Sequence, residues 1–318
     1  MSKLIAVTGA NGWIGREVCG WLEGQGYGVK RLTRTGGSPG SAFLDLTMEE
    51  KAPQWLEALH GCTAVVHCAA HVHRPLETEV ERILFERVNV GGTKRLLATC
   101  ASAGISRFVL PSTSAVYDWS TGRAMTEDCA ARPTSAYAVS KLQAENLVRA
   151  TGLDWRIARL ATVFGAGDTA NFWRLARTLK SRRFLIPGKG DARKSVLTVG
   201  RAAEMLGRLA TQDASGQGIV NLGAPTAPTL RRICEVFSRY CGFASAPTAP
   251  IWLLRIGAWL GDAALVLGLP APLNTDTLNK LTTSTVLDVT KMRHMFPDLN
   301  WLDFDEELAR TARYYAAG

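Results

Sequence analysis

Lys3–Gly15, KLIAVTGANGWIG, decides the fold. Leu4, Ile5, Ala6 and Val7 form a short apolar run suited to a strand buried on both faces. Thr8 and Gly9 open a turn, and Gly9, Gly12 and Gly15 follow one another at three-residue spacing. The next stretch, REVCGWLEGQG, reads as a helix with Val18, Cys19, Trp21 and Leu22 on its apolar face. Glycines in such a turn let backbone approach a ligand closely, and the free N–H groups and positive dipole end of the helix attract negative charge. Strand, glycine turn and helix in this order predict a seat for a dinucleotide pyrophosphate. The alternative is a βα turn that is merely tight.

Outward from this stretch, the chain has 318 residues, enough for one large domain or two small ones with a substantial core. Apolar residues at 47% and charged residues at 20% describe an ordinary globular protein. The net charge of +9 suits anionic ligands such as phosphates. Its lysines and arginines are scattered with no long basic block, so nucleic acid is not an expected partner. The seven cysteines are an odd number without a CxxC pair, as expected of buried thiols in a reducing, cytoplasmic setting. No leader is expected before a strand that begins this early. Ile251–Leu269 is the most apolar long segment, but Arg255 and Asp262 interrupt it. It is read as a buried or amphipathic helix and not as a membrane span, peripheral membrane contact being the less favoured reading.

A second strand is expected at Gly28–Thr33. Just beyond it, about twenty residues past the glycines, an acid would bind ribose hydroxyls and an arginine a 2′-phosphate. Thr33, Arg34 and Thr35 stand there with Arg31 nearby, so NADP(H) is expected over NAD(H). Phe43–Leu46 is read as a third strand, Pro53–Leu59 as a helix, Ala64–Cys68 as a fourth strand and Leu76–Cys100 as a long helix. Arg107–Leu110 is a fifth strand, followed by the hydroxyl cluster Ser112, Thr113 and Ser114. His71 and His73 lack partners at metal spacing, so no metal is expected.

Tyr137 and Lys141 lie four residues apart in SAYAVSKLQAENLV, a helical pattern, so both side chains emerge on one face. A cation beside a phenol is expected to favour the phenolate, which makes Tyr137 an acid/base for a C–OH/C=O pair while hydride passes to or from nicotinamide. With the glycine turn far upstream and the hydroxyl cluster between, the chain resembles the extended short-chain dehydrogenase/reductases, the group of epimerases, dehydratases and reductases. The resemblance runs through Thr8–Gly15, Asp45-Leu46, Ala69-Ala70, Asn89–Thr93 (NVGGT, the family's NVxGT), STSAVY, Tyr137–Lys141 and Arg159–Gly167.

The resemblance implies an α/β fold: a Rossmann-type doubly wound parallel sheet over residues 1–164, with 165–318 mainly a smaller substrate-binding lobe that returns segments to the sheet. It implies catalysis by Tyr137, Lys141 and Thr113, with Ser112 as the alternative hydroxyl, and that Lys141 also holds the nicotinamide ribose. The implied cofactor contacts are Gly9, Asn11, Gly12, Trp13, Ile14 and Gly15 at the pyrophosphate, Arg34, and Asp45-Leu46 beside the adenine. Ala69 and Ala70 follow, and the backbone of Ala161–Val163 is placed at the nicotinamide amide. Asn171, Arg193 and Lys194 occupy positions that contact the diphosphate in nucleotide-sugar enzymes.

Ser114-Ala115 stands where sugar dehydratases of the family carry Asp-Glu, which disfavours water elimination. Gly200-Arg201 and Asp118-Trp119 also depart from the family pattern, in place of an aspartate and a glycine. The stretches AAHVH, GAGDTANF and RKS are similar to bacterial enzymes that reduce or epimerise C4 of UDP-linked sugars for surface polysaccharides. A 4-ketoreductase or 4-epimerase acting on a UDP-sugar is the expected function. Reduction or oxidation of a non-sugar alcohol, sterol- or aldehyde-derived, and a non-catalytic dinucleotide sensor are the alternatives. The family also implies a homodimer through helices near Leu76–Cys100 and Ser135–Ala150.

Overall fold

The computed structural model describes residues 3–34, 41–48, 53–72, 78–212 and 217–318. From β1 (Leu4–Thr8), the chain passes through α1 (Trp13–Gly24), β2 (Gly28–Thr33) and β3 (Ser41–Phe43) to one sheet edge. Helix α2 (Pro53–Leu59) returns it to β4 (Ala64–His67) on the other side of β1. Then come α3 (Glu79–Leu84), a π-helical segment (Phe85–Gly92), α4 (Thr93–Ser102), β5 (Arg107–Thr113), α5 (Ala136–Arg149) and β6 (Asp154–Leu160). Next are β7 (Thr162–Phe164), α6 (Asn171–Lys180), β8 (Ile186–Pro187), β9 (Val196–Thr198), α7 (Val199–Thr211) and β10 (Gly218–Leu222). The remainder is α8 (Leu230–Cys241), β11 (Thr248–Ala249), α9 (Ile251–Val266), α10 (Thr275–Thr282), α11 (Thr290–Met295) and α12 (Phe304–Ala317).

Seven strands form one sheet in the order β10-β6-β5-β4-β1-β2-β3, every neighbouring pair parallel. Both faces are covered, which is why the central strands read as continuous apolar runs. Ile5 and Val7 join Val18, Leu22, Leu206, Leu209 and Met292 on the face of α1, α7 and α11. Ala6 and Val65 join Trp55, Leu59, Leu96 and Val148 on the face of α2, α4 and α5. On the first face α1 and α7 meet closely, since a Cβ on Gly207 would stand 2.1 Å from the Trp21 ring. The chain leaves β1 in one direction and enters β4 on its other side, opening a crevice at the C-terminal ends of these two strands. A separate aromatic core of Phe164, Phe172, Phe237 and Tyr315 gathers α6, α8 and α12.

Three elements differ from expectation. The third strand ends at Phe43, and Asp45 instead closes a turn by accepting from the N–H and Oγ1 of Thr47. The long helix is broken: Leu76 lies outside the described residues, Thr78 caps α3, and the π-helical segment widens the turn where Gly92 meets Leu46. A Cβ on Gly92 would come within 2.8 Å of the Leu46 Cβ. Finally, α9 buries only Leu254, Ala258 and Gly261 and leaves most of its large apolar side chains exposed.

Candidate active site

The glycine turn sits at the β1–β4 crevice. Gly9 has φ +63°, and a Cβ there would lie 2.7 Å from the Ala69 nitrogen, so the turn and the β4 exit fit only without a side chain. Gly15 is closer still, its Cβ position 2.2 Å from the Gly9 carbonyl oxygen. The N–H of Gly12 donates to that carbonyl at 2.8 Å, and Gly12 caps α1 without a side chain. The first amides of α1, at Trp13, Ile14 and Gly15, therefore have no intrahelical or capping partner and suit a pyrophosphate. Asn11 is exposed on the turn. The Trp13 indole spans outward, donating to the Ala166 carbonyl at 2.7 Å and packing on Gly167.

Beneath the turn runs a buried polar chain. The Thr8 hydroxyl accepts from the Ala69 N–H at 3.1 Å and donates to His67 Nδ1 at 2.7 Å. His67 Nε2 lies 3.1 Å from Thr93 Oγ1, whose own proton goes to the Asn89 carbonyl at 2.6 Å. This directionality assigns the imidazole proton to Nε2. Burial, with Lys141 nearby, pushes the His67 pKa down to about 3, so the ring is neutral. The Asn89 amide clamps the β4 exit to α5. It accepts from the His71 N–H at 2.7 Å and donates to the His71 carbonyl and Ser140 Oγ, each at 3.0 Å. His71 Nε2 also lies 2.6 Å from Glu81, and His73 lies outside the described residues.

At the outer end, Arg34 is exposed just beyond β2 and Thr35 lies outside the described residues. Arg31 is engaged by Glu23 at 2.8 Å, so among the described residues Arg34 is the cation left exposed at this strand end. Leu46 is buried and its carbonyl accepts from Arg95, while Ala69 and Ala70 are half-buried along the crevice. Where the nicotinamide is expected, the Ala161 N–H already donates to the Leu222 carbonyl at 2.8 Å, and Val163 pairs with Leu197 across β7 and β9.

Ser135 caps α5 and sets Tyr137 and Lys141 one turn apart. Burial pulls the Lys141 pKa down to about 8, opposed by Glu145 and Cys68. Tyr137 does not follow the expectation of a depressed phenol. Its ring centroid lies 5.9 Å from that of Phe85, and burial pushes its pKa up to about 12. Desolvation of the phenolate is the cause, so Tyr137 holds its proton near neutral pH.

Adjacent residues of a strand point to opposite sides, and the two hydroxyls at the end of β5 differ accordingly. Ser112 is buried and donates to Glu145 Oε1 at 2.5 Å, which removes it as a free alternative hydroxyl. Thr113 is half-buried at the strand end and accepts from the Ala115 N–H at 3.1 Å. Behind Ser112, Glu145 pairs with Arg159 at 2.7 Å, both fully inside, and the Arg159 guanidinium lies 4.7 Å from the Tyr117 ring centroid. Glu145 escaped the sequence reading, although positions 137, 141 and 145 continue one helical face.

The residues expected on the substrate side are dispersed. Asn171 opens α6 and is exposed. Arg193 is exposed, with Nη1 on the Ala227 carbonyl at 3.2 Å. Lys194 instead staples the chain before β9 to the end of α10, donating to the carbonyls of Lys280 at 2.7 Å and Thr283 at 2.5 Å. Burial pushes its pKa down to about 8. Of the adjacent pair, Arg193 is the cation open to a ligand.

Comparison with known proteins fits this geometry. The sequence model of the NAD dependent epimerase/dehydratase family matches residues 5–223. Over 274 residues, 81% of this chain and 79% of the other, the protein is 29% identical to the 4-hydroxy-2-methyl-3-oxo-4-farnesyl-3,4-dihydroquinoline-1-oxide ketoreductase of Stigmatella aurantiaca. It is 32% identical to the UDP-glucose 4-epimerase of Vibrio cholerae over 187 residues, 56% of this chain and 57% of that one. The solved structure of MoeE5 in complex with UDP-glucose and NAD superposes with a TM-score of 0.75 at 25% identity, covering 98% of this chain and 97% of that one.

Proposed function

The chain belongs to the NAD-dependent epimerase/dehydratase family, and we propose that it transfers hydride and proton at C4 of a UDP-linked sugar, as a 4-ketoreductase or 4-epimerase. The observation that carries this reading is the placement of Tyr137 and Lys141 on one face of α5, with Thr113 at the end of β5. A bound dinucleotide supplies or accepts the hydride. The glycine turn fits that group, because Gly9 and Gly15 leave no room for a Cβ and the α1 amides are uncapped. Thr113 hydrogen-bonds the reacting oxygen, and Lys141 orients the ribose and supports Tyr137. A phenol whose pKa is pushed up to about 12 is protonated near neutral pH, the state that a proton donor to a carbonyl oxygen requires, which supports the reductive direction.

Arg34, without an acid at the end of β2, supports NADP(H) over NAD(H). Residues 165–318 supply most of the substrate lobe, where Asn171 and Arg193 approach the diphosphate. Two copies pair through α3–α4 and α5, in the cytoplasm. A second reading, reduction of a ketone on a non-sugar molecule, is favoured by the Stigmatella relative, whose match extends over four-fifths of this chain.

Purified protein supplied with NADPH and a 4-keto UDP-sugar tests the first reading. Tyr137→Phe should lower turnover by about 10²–10⁴ while NADPH binding is unchanged. Full activity in that variant overturns the mechanism. Absence of thermal protection by UDP selects the second reading.

A further inference from the structure

Helix α9 is built inside out. Its buried stripe is narrow, Leu254, Ala258 and Gly261, and it lies against Leu273 and Leu278. A Cβ on Gly261 would stand 1.8 Å from the Leu273 carbonyl oxygen, so this side is pressed onto backbone. Trp252, Leu253, Ile256, Trp259, Leu260 and Val266 span an arc of about 140° at 100° per residue, and all six are exposed. Trp252 is 65% exposed, Trp259 67%, Leu260 68% and Val266 86%. Isolated exposed apolar residues are ordinary, but a continuous stripe with two tryptophans marks a contact surface.

The chain that pairs with the segment leading into α9 is basic. The turn after α6 continues into residues 185–190, which pack on the start of α9: the Gly188 N–H donates to the Ala249 carbonyl at 2.8 Å, beside Ile251. Arg182, Arg183 and Lys189 on this turn and Arg255 on α9 are exposed, and none meets a carboxylate among the described residues. Leu185, just before β8, is exposed as well. Nearby acids are engaged: Asp262 accepts from Thr275, and Asp276 pairs with Lys280 at 2.6 Å. Asp191 is the one exposed acid on residues 181–191.

We propose that α9 docks the protein in the plane of an anionic lipid surface. Apolar side chains on one face, tryptophans at the polar boundary and a rim of cations are the three features that such binding combines. A second copy offers the cations no acidic counterpart, because a two-fold contact through this face would bring two basic patches together. At 16 residues α9 is too short to span a bilayer, and no described helix is long and apolar enough to do so. This inference is independent of which substrate the active site takes.

Vesicle co-sedimentation of the full chain tests it, with phosphatidylcholine alone and with phosphatidylcholine/phosphatidylglycerol. Binding to the anionic vesicles should be at least about tenfold stronger and weaken with salt. Trp252→Gln/Trp259→Gln should abolish it while NADPH oxidation with substrate is unchanged. Arg182→Gln/Arg183→Gln/Lys189→Gln should remove the preference for anionic lipid. Equal binding to both vesicles, no binding, or binding retained by the double tryptophan variant overturns the proposal. So does a wild-type dimer in velocity sedimentation that the tryptophan variant converts to monomer, since a second copy would then cover the face.

Discussion

Lys141→Met separates a lysine kept for chemistry from one kept for the fold. The side chain is 4% exposed, and burial lowers its pKa from 10.5 to about 8. At about 1.4 kcal/mol for each tenfold in the protonation equilibrium, carrying this charge destabilises the folded protein by about 3 kcal/mol when both states are protonated. Methionine has similar length without charge and adapts to irregular space, so the variant should gain up to about 3 kcal/mol at neutral pH. The pH dependence has a definite sign. Because the folded pKa lies below the unfolded one, the penalty is complete below about pH 8 and fades as pH rises toward 10.5. Urea denaturation of both proteins should therefore show a gap at pH 7 that closes by pH 10.5, while the variant's turnover is lost. A variant less stable than wild type at pH 7, or a gap constant with pH, would refute the reasoning.

Four further outcomes follow from the site. Thr113→Ala should lower turnover with little change in stability. Ser112→Ala should instead destabilise by about 1–3 kcal/mol, because Glu145 loses a buried donor, and urea midpoints set beside initial rates separate the two. Gly15→Ala pushes a methyl into the Gly9 carbonyl, so NADPH affinity measured by fluorescence titration should fall by about 1–3 kcal/mol; unchanged affinity would mean the turn does not hold the cofactor. Arg34→Ser should weaken NADPH by about 1.5–3 kcal/mol and leave NADH alone, and an equal effect on both would deny Arg34 the 2′-phosphate.

The parts of the site that local chain geometry dictates were legible in the sequence. Gly9 and Gly15 are fixed by a positive φ and by backbone contacts within a few residues, so residue type alone announces them. Tyr137 and Lys141 share a face because helical spacing requires it. Residues whose role depends on distant partners were not. Lys194 reads as a phosphate cation until the end of α10 is seen to supply its acceptors. Ser112 and Thr113 are interchangeable in sequence, and only the burial of Glu145 and Arg159 on one side of β5 tells them apart. The same holds for the Tyr137 proton: its neighbour in the helix is a cation, but its surroundings are set by Phe85 from another element.

Helix α9 shows how side-chain size along a helix can tell an exposed apolar face from a buried one. A helix apolar all round is read as buried, and the sequence left buried and amphipathic readings of this segment open. Here the other elements have already filled the available cores, α1, α7 and α11 on one sheet face, α2, α4 and α5 on the other, and α6, α8 and α12 around the aromatic cluster. What remains for α9 is contact with α10 and the chain before it, along Leu254, Ala258 and Gly261. Those positions lie three or four residues apart and include the helix's smaller side chains, while both tryptophans lie on the opposite arc. Ala258 and Gly261 on the packed side and both tryptophans on the free side reverse the order of a core helix, in which the bulky stripe is the one removed from water. That reversal is legible in the sequence, and it is the feature on which docking of α9 outside this chain is proposed.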